Sequence, residues 1–289
     1  MLFLDFEDSI ATLEAELAEL RHGGGGEDEA RLAARIDRQL EGLYARLTPW
    51  QTVQVARHPD RPSARDVVRT LGGGFLALAG DRAESDSRHA EAGVARVHDH
   101  GVVLIGHSRA PDAAALRKTA RLLRLAERFR LPAILVADGG CDDAQALAAC
   151  LDAALDLRVP LIAVVAGAVA GPGAALPLAA DAVLMLEHAC LSAVTPEDAA
   201  RAHWTAGGDA ARAHAAAAEA LHLTAKALAA QGLVDAVVDE PTGGAHRHPR
   251  AAIAAIAAAV LARLDAARLL EGGLLRAKRR ERLAGFGRG

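Results

Sequence analysis

The chain has 289 residues, of which 52% are hydrophobic and only 3% aromatic, and its 33 basic and 37 acidic side chains leave a formal net charge of -4. Such a chain can bury a sizeable core, which excludes disorder over most of its length, and it lacks the basic excess of a nucleic-acid binder. Three cysteines with no C-x-x-C pair exclude a disulfide scaffold and a zinc ribbon.

The N-terminus carries Asp5, Glu7 and Asp8 where a signal peptide needs Lys or Arg, and the alanine runs near 251–262 are too short to span a bilayer. The expectation is a cytoplasmic protein with no membrane contact. Residues 9–21 are predicted as a helix, because Ile10, Leu13, Leu17 and Leu20 form one stripe. Gly23 to Gly26 break it. A second helix carries Leu32, Ile36, Leu40, Leu43 and Leu47, and Pro49 is expected to end it. The stripes of this hairpin must cover either the main body or a partner chain.

Beyond Trp50 the pattern changes to short β-prone runs. Val94–Val97 and Val102–Ile105 flank a hairpin turn at His98-Asp99-His100-Gly101. Helices are predicted over 112–130, 143–157 and 209–230, with more between 248 and 284. Strands are predicted over 133–136, 161–165, 182–186 and 233–238. Strands alternating with helices indicate an α/β fold.

The turn Gly167-Ala168-Val169-Ala170-Gly171-Pro172-Gly173 joins a strand to a helix, where backbone amides lack internal acceptors and can hold an anion. It lacks the lysine and hydroxyl of a P-loop. Asp138-Gly139-Gly140-Cys141-Asp142-Asp143 follows a strand end, where α/β sheets bind ligands. Cys141 reads as a small loop thiol. His98, His100, His246 and His248 read as solvated turn histidines, with no metal. Ser108 and Ser192 lack a motif partner. The basic run Arg276, Lys278, Arg279, Arg280, Arg282 reads as a solvated helix face.

Several segments together resemble the α subunit of bacterial acetyl-CoA carboxylase carboxyltransferase. They are Phe3-Leu4-Asp5-Phe6-Glu7, Val55-Ala56-Arg57-His58-Pro59 with Arg61-Pro62, Ala79-Gly80-Asp81-Arg82-Ala83, Gly106-His107 and Ala126-Glu127-Arg128-Phe129. Thr195-Pro196-Glu197, Leu233-Val234-Asp235, Glu240-Pro241 and Gly243-Gly244-Ala245-His246-Arg247 follow in family order. The resemblance implies an α/β, crotonase-like superhelix over 49–245, an N-terminal helical hairpin arm over 1–48 and a C-terminal helical segment over 246–289. It implies transfer of a carboxyl group from carboxybiotin, on a biotin carboxyl carrier protein, to acetyl-CoA to give malonyl-CoA. It also implies a β subunit that carries the only zinc, an assembly of the α2β2 kind, and no covalently bound cofactor in this chain.

In the family the final glycine pair of the turn supplies oxyanion amides. Here the first of that pair is Pro172, which has no N–H, so Gly173, helped by Gly171, is left to serve. Gly139 and Gly140 fall on the carboxybiotin-side loop, which is about ten residues shorter than the family's. A segment after Gly106-His107 is shortened too. Scaffold motifs persist where ligand loops shrink. The alternatives that follow are a non-catalytic paralogue, acting as scaffold or regulator of a carboxylase complex, and a malonyl-thioester decarboxylase.

Overall fold

Leu161–Val165 is an unbroken apolar run with every residue buried, the pattern of a strand covered on both faces. In the computed structural model, which describes residues 2–23, 26–83, 85–203 and 209–287, this run is an interior strand of the sheet.

The arm comes first. Helices α1 (Asp8–Gly23) and α2 (Gly26–Tyr44) turn their stripes on each other, burying Ile10, Leu13, Leu17, Leu32, Ile36 and Leu40 in a cluster of their own. Tyr44 and Val55 close its base. The stripes were expected to cover the body or a partner; they cover mainly each other, with Val55 of the body in the same cluster. Gly24 and Gly25 of the expected break lie outside the described residues.

Pro49 was expected to end the second helix. That helix stops at Tyr44, and Pro49 opens a new one, α3 (Pro49–Ala56). Thr48 caps it: its hydroxyl accepts from Gln51 N at 3.2 Å, and Gln51 Oε1 accepts from Thr48 N at 2.9 Å. Proline at the first helical position, inside a reciprocal cap, starts a helix rather than breaking one. α4 (Ala64–Leu71) follows, capped in the same way by Ser63 and Asp66.

β1 (Gly73–Ala77), β2 (Ala90–Val97) and β3 (His100–Ser108) form an antiparallel meander. Val97 pairs with His100, so the predicted turn is the two residues His98-Asp99, with His98 at φ 51°. α5 (Ala113–Phe129) begins at Asp112, whose carboxylate accepts from Ala115 N. β4 (Ala133–Asp138), α6 (Ala144–Asp156) and β5 (Leu161–Val165) continue the winding. β6 (Ala168–Ala170), a 3-10 turn at Pro172–Ala174 and α7 (Ala175–Leu178) lead to β7 (Ala182–Leu186), β8 (Cys190–Ser192) and α8 (Pro196–His203).

The long alanine helix expected over 209–230 is two helices, α9 (Ala210–Ala220) and α10 (Ala225–Ala230). Between them Leu223 dives into the interior, His222 takes φ 48°, and Thr224 caps α10. β9 (Ala236–Val238) is shorter than expected. Upstream of it Asp235 continues the pairing: its backbone N donates to Val183 O and its carboxylate accepts from Val183 N.

Among the described residues the main sheet runs β1-β2-β3-β4-β5-β7-β9, parallel from β3 onward, with β6 and β8 forming a small second parallel pair. Burying each Val, Leu or Ile of these strands contributes roughly 1.5–3 kcal/mol. No described helix is long and apolar enough to cross a membrane.

The C-terminal helices α11 (Pro249–Arg268) and α12 (Gly272–Gly285) pack back on the body. The basic run on α12 is a solvated face only in part: Lys278 and Arg280 are exposed, and Arg279 is not. Arg279 is 1% exposed, bonds both oxygens of Asp181, and donates to the carbonyls of Ala154, Leu157 and Val159. Arg276 and Arg280 share Asp156, and Arg282 pairs with Asp235. A guanidinium with five donors fits a ring of carbonyls at helix and strand ends, which a solvated charge would leave unpaired.

Candidate functional site

The signature residues are distant in sequence and meet in space. Arg247 pairs with Glu7 at 3.1 Å and with Glu14, and Tyr44 Oη donates to Glu7 at 2.9 Å. Burial pushes the Glu7 carboxyl up, but the Leu4 amide, Tyr44 and Arg247 outweigh it and hold it below the usual range. His58 stacks on His246 with ring centres 4.1 Å apart. Arg61 forks onto Glu240 at 2.8 and 2.7 Å and also donates to Ala166 O. Glu240 accepts further from Ala245 N and His188 N. Arg57 grips Glu197. Gly243 and Gly244 sit at φ 79° and 91°, conformations that carry no penalty in glycine. This polar lattice fixes the arm, α3, the end of β5 and the 240–247 loop together.

On that frame the C-terminal ends of β3, β4 and β5 stand side by side, with Ser108 opposite Asp138 and Ala137 opposite Val165. Ligands of parallel sheets collect at such ends. The loop after β4 and the turn after β6 press against each other. A Cβ on Gly140 would fall 1.6 Å from Ala170 O, and one on Gly173 would fall 2.4 Å from Cys141 N. Gly139 lies against Arg109 O in the same way. These glycines let two backbones touch.

The consequence for the amides is direct. Gly173 N donates to Cys141 O at 3.1 Å, and Pro172 has no N–H to give. Gly171, at φ 81°, starts the 3-10 turn, and its carbonyl accepts from Ala174 N. Gly140, Gly171 and Pro172 line a cavity of about 390 Å³; Gly173 is buried behind it. Arg57, Cys190 and Ser192 also line it. Composition and spacing did not single out those three for the site; Arg57 was visible only as part of a family motif.

Other candidate residues are structural. Cys141 is buried, and burial followed by the charges of Asp142 and Asp143 pushes its thiol up to about 11, away from nucleophilic use. Ser192 Oγ donates to Val194 O at 2.6 Å. His100 Nε2 meets Asp265 at 3.0 Å. Asp138, missed as an ionisable site residue, is pushed up to about 6 by burial, against the opposing charges of Arg61 and Arg109.

A model of a family described as acetyl co-enzyme A carboxylase carboxyltransferase-like matches residues 3–287. The chain belongs to this family. The acetyl-coenzyme A carboxylase carboxyl transferase subunit alpha of Rhizorhabdus wittichii is 41% identical to it over 314 aligned positions, covering 99% of both chains. The subunit of the same name from Paramagnetospirillum magneticum is 38% identical, covering 100% of this chain and 99% of that one. An alignment of 314 positions exceeds the 289 residues present here, so the Rhizorhabdus subunit holds residues with no counterpart in this member of the family. Among solved structures, a Pseudomonas malonate decarboxylase hetero-tetramer superposes with TM-score 0.55 at 18% identity, over 70% of this chain and 82% of that one. Transcarboxylase 12S superposes with TM-score 0.52 at 22% identity, over 66% of this chain and 41% of that one. The carboxyltransferase-like family member thus has the crotonase-like fold expected of it.

Proposed function

We propose that the chain is the α-type subunit of an acetyl-CoA carboxylase carboxyltransferase. With a β-type subunit it forms, in the cytoplasm, an assembly that passes a carboxyl group from carboxybiotin on a carrier protein to acetyl-CoA, giving malonyl-CoA. What supports this most is end-to-end relatedness to subunits of that name, with the signature residues joined in one buried lattice.

An oxyanion at the glycine turn needs N–H donors converging at about 2.7–3.1 Å. The turn of this chain does not fit the ureido oxyanion of carboxybiotin, because Pro172 has no donor and the Gly173 donor is taken by Cys141. No step is routed through it here. What the chain's own residues do is shape the cavity under Gly171 and Pro172, and hold Arg57 at its wall through Glu197.

The Cys141–Gly173 bond favours a second reading, a subunit that holds the assembly together without turning over at this turn. Co-expression with a β-type subunit, followed by a carboxybiotin-dependent malonyl-CoA assay, separates the two. A complex with robust turnover establishes the first, and a complex without turnover the second. Loss of malonyl-CoA with no need for biotin indicates a decarboxylase, and no complex at all overturns both readings.

A further inference from the structure

At the end of the sheet opposite the glycine turns, β3, β4 and β5 begin at His100, Ala133 and Leu161. A cavity of about 340 Å³ lies across these starts, with Asp99, His100, Arg130, Arg158, Arg268 and Leu270 in its wall. We propose that this cavity is a binding site for a small polyanion, one that presents adjacent phosphate or carboxylate groups.

The charge pattern carries the inference. This fold pairs its arginines where a carboxylate is near: Arg276 and Arg280 take Asp156, Arg279 takes Asp181, and Arg282 takes Asp235. Arg130 and Arg158 are exposed and form no ion pair among the described residues. Arg268 leans on His100, whose Nε2 is engaged by Asp265. The neighbouring acids are in use: Glu127 accepts from the Arg158 backbone at 2.7 Å, and Glu271 caps α12 through the Gly273 and Leu274 amides. Asp99 is the acid in the wall itself, against three arginines.

The backbones that carry these charges are held. Arg130 caps α5 in the left-handed conformation at φ 54°, with its N–H on the carbonyls of Ala126 and Glu127. The Arg158 carbonyl is covered by Gly272, where a Cβ would fall 2.5 Å from it. Two unpaired guanidiniums projecting from fixed turns, with a third beside them, suit bidentate capture of oxyanion groups. Such capture weakens as salt screens it.

Calorimetric titration of the purified chain with inorganic pyrophosphate at low salt tests the site. Succinate in parallel distinguishes a phosphate ligand from a carboxylate one. The expected result is saturable binding of one equivalent, weakened at least ten-fold in Arg130→Gln/Arg158→Gln and unchanged in Arg250→Gln. Arg250 sits at the other end of α11, about 27 Å from Arg268 at 1.5 Å rise per residue, so its variant reports diffuse charge alone. Absence of saturation with both probes overturns the proposal. So does equal weakening in the Arg250 variant, or binding that the Arg130/Arg158 change leaves intact.

Discussion

The amide of Gly173 donates to the carbonyl of Cys141 at 3.1 Å, so the loop after β4 ends against the turn expected to hold an oxyanion. The loop and Pro172 therefore bear on the same spot: one occupies the Gly173 amide and the other offers no amide.

Pro172→Gly restores one N–H to the turn but leaves Gly173 engaged. Removing one free oxyanion donor ordinarily costs about 10²–10³-fold in rate. The expected gain from Pro172→Gly alone is well under ten-fold in malonyl-CoA formation with a β-type partner. A gain of two orders of magnitude would show that the Cys141 contact opens during turnover.

Glu240→Gln leaves Arg61 buried beside a neutral amide. Removing one partner of a buried ion pair costs about 3–5 kcal/mol. Urea unfolding at pH 7 should show a loss of that size. Glu27→Gln, on an exposed pair with Arg31, should show about 0–1 kcal/mol.

Arg279→Met and Arg280→Met differ by one position on α12 and should differ sharply in effect. The first strands Asp181 and three carbonyls, with an expected loss of about 3–5 kcal/mol and faster proteolytic release of α12. The second removes a half-exposed pair and should cost no more than about 1 kcal/mol.

Stability should fall on mild acidification. Burial pushes His107 down to about 4; His246 is held at about 4 by burial and then by the neighbouring His58. Both are neutral when folded, whereas unfolded histidine titrates near 6.5. Between about 6.5 and 4 the unfolded chain binds more protons, so stability declines as pH falls through that window, by at most about 3 kcal/mol per histidine. His188 is lowered as well and adds to the decline, while Asp138, raised to about 6, opposes it by taking up a proton in the folded chain. His246→Phe keeps the stack on His58 and should reduce the fall of the urea midpoint between pH 7 and 5, leaving the part that His107 and His188 contribute.

Much of the sheet was legible because buried parallel strands write themselves as apolar runs; Leu161–Val165 and Ala182–Leu186 match the expected bounds. The break at Leu221–Thr224 was not, since an alanine-rich stretch has no stripe from which a turn could be read. Arg279 looked like its solvated neighbours, because only the helix's seat on Asp181 separates them. At the site, the glycines were read as a turn with free amides and a loop at a strand end; that they let two backbones touch, and that Gly173 N is taken, was not legible. The Cys141 carbonyl reaches Gly173 from a loop whose length, rather than any motif, decides where it ends.

The pairing of Arg247 with Glu7 spans 240 residues of chain. During synthesis at roughly 5–20 residues per second, Glu7 is made some 12–48 s before its arginine partner. A hairpin that buries its stripes internally can wait that long without offering a sticky face. The arm, made well before the 240–247 loop, is thus locked by Arg247 only after that loop appears, and a ribosome stalled before it would leave Glu7 and Glu14 without their arginine.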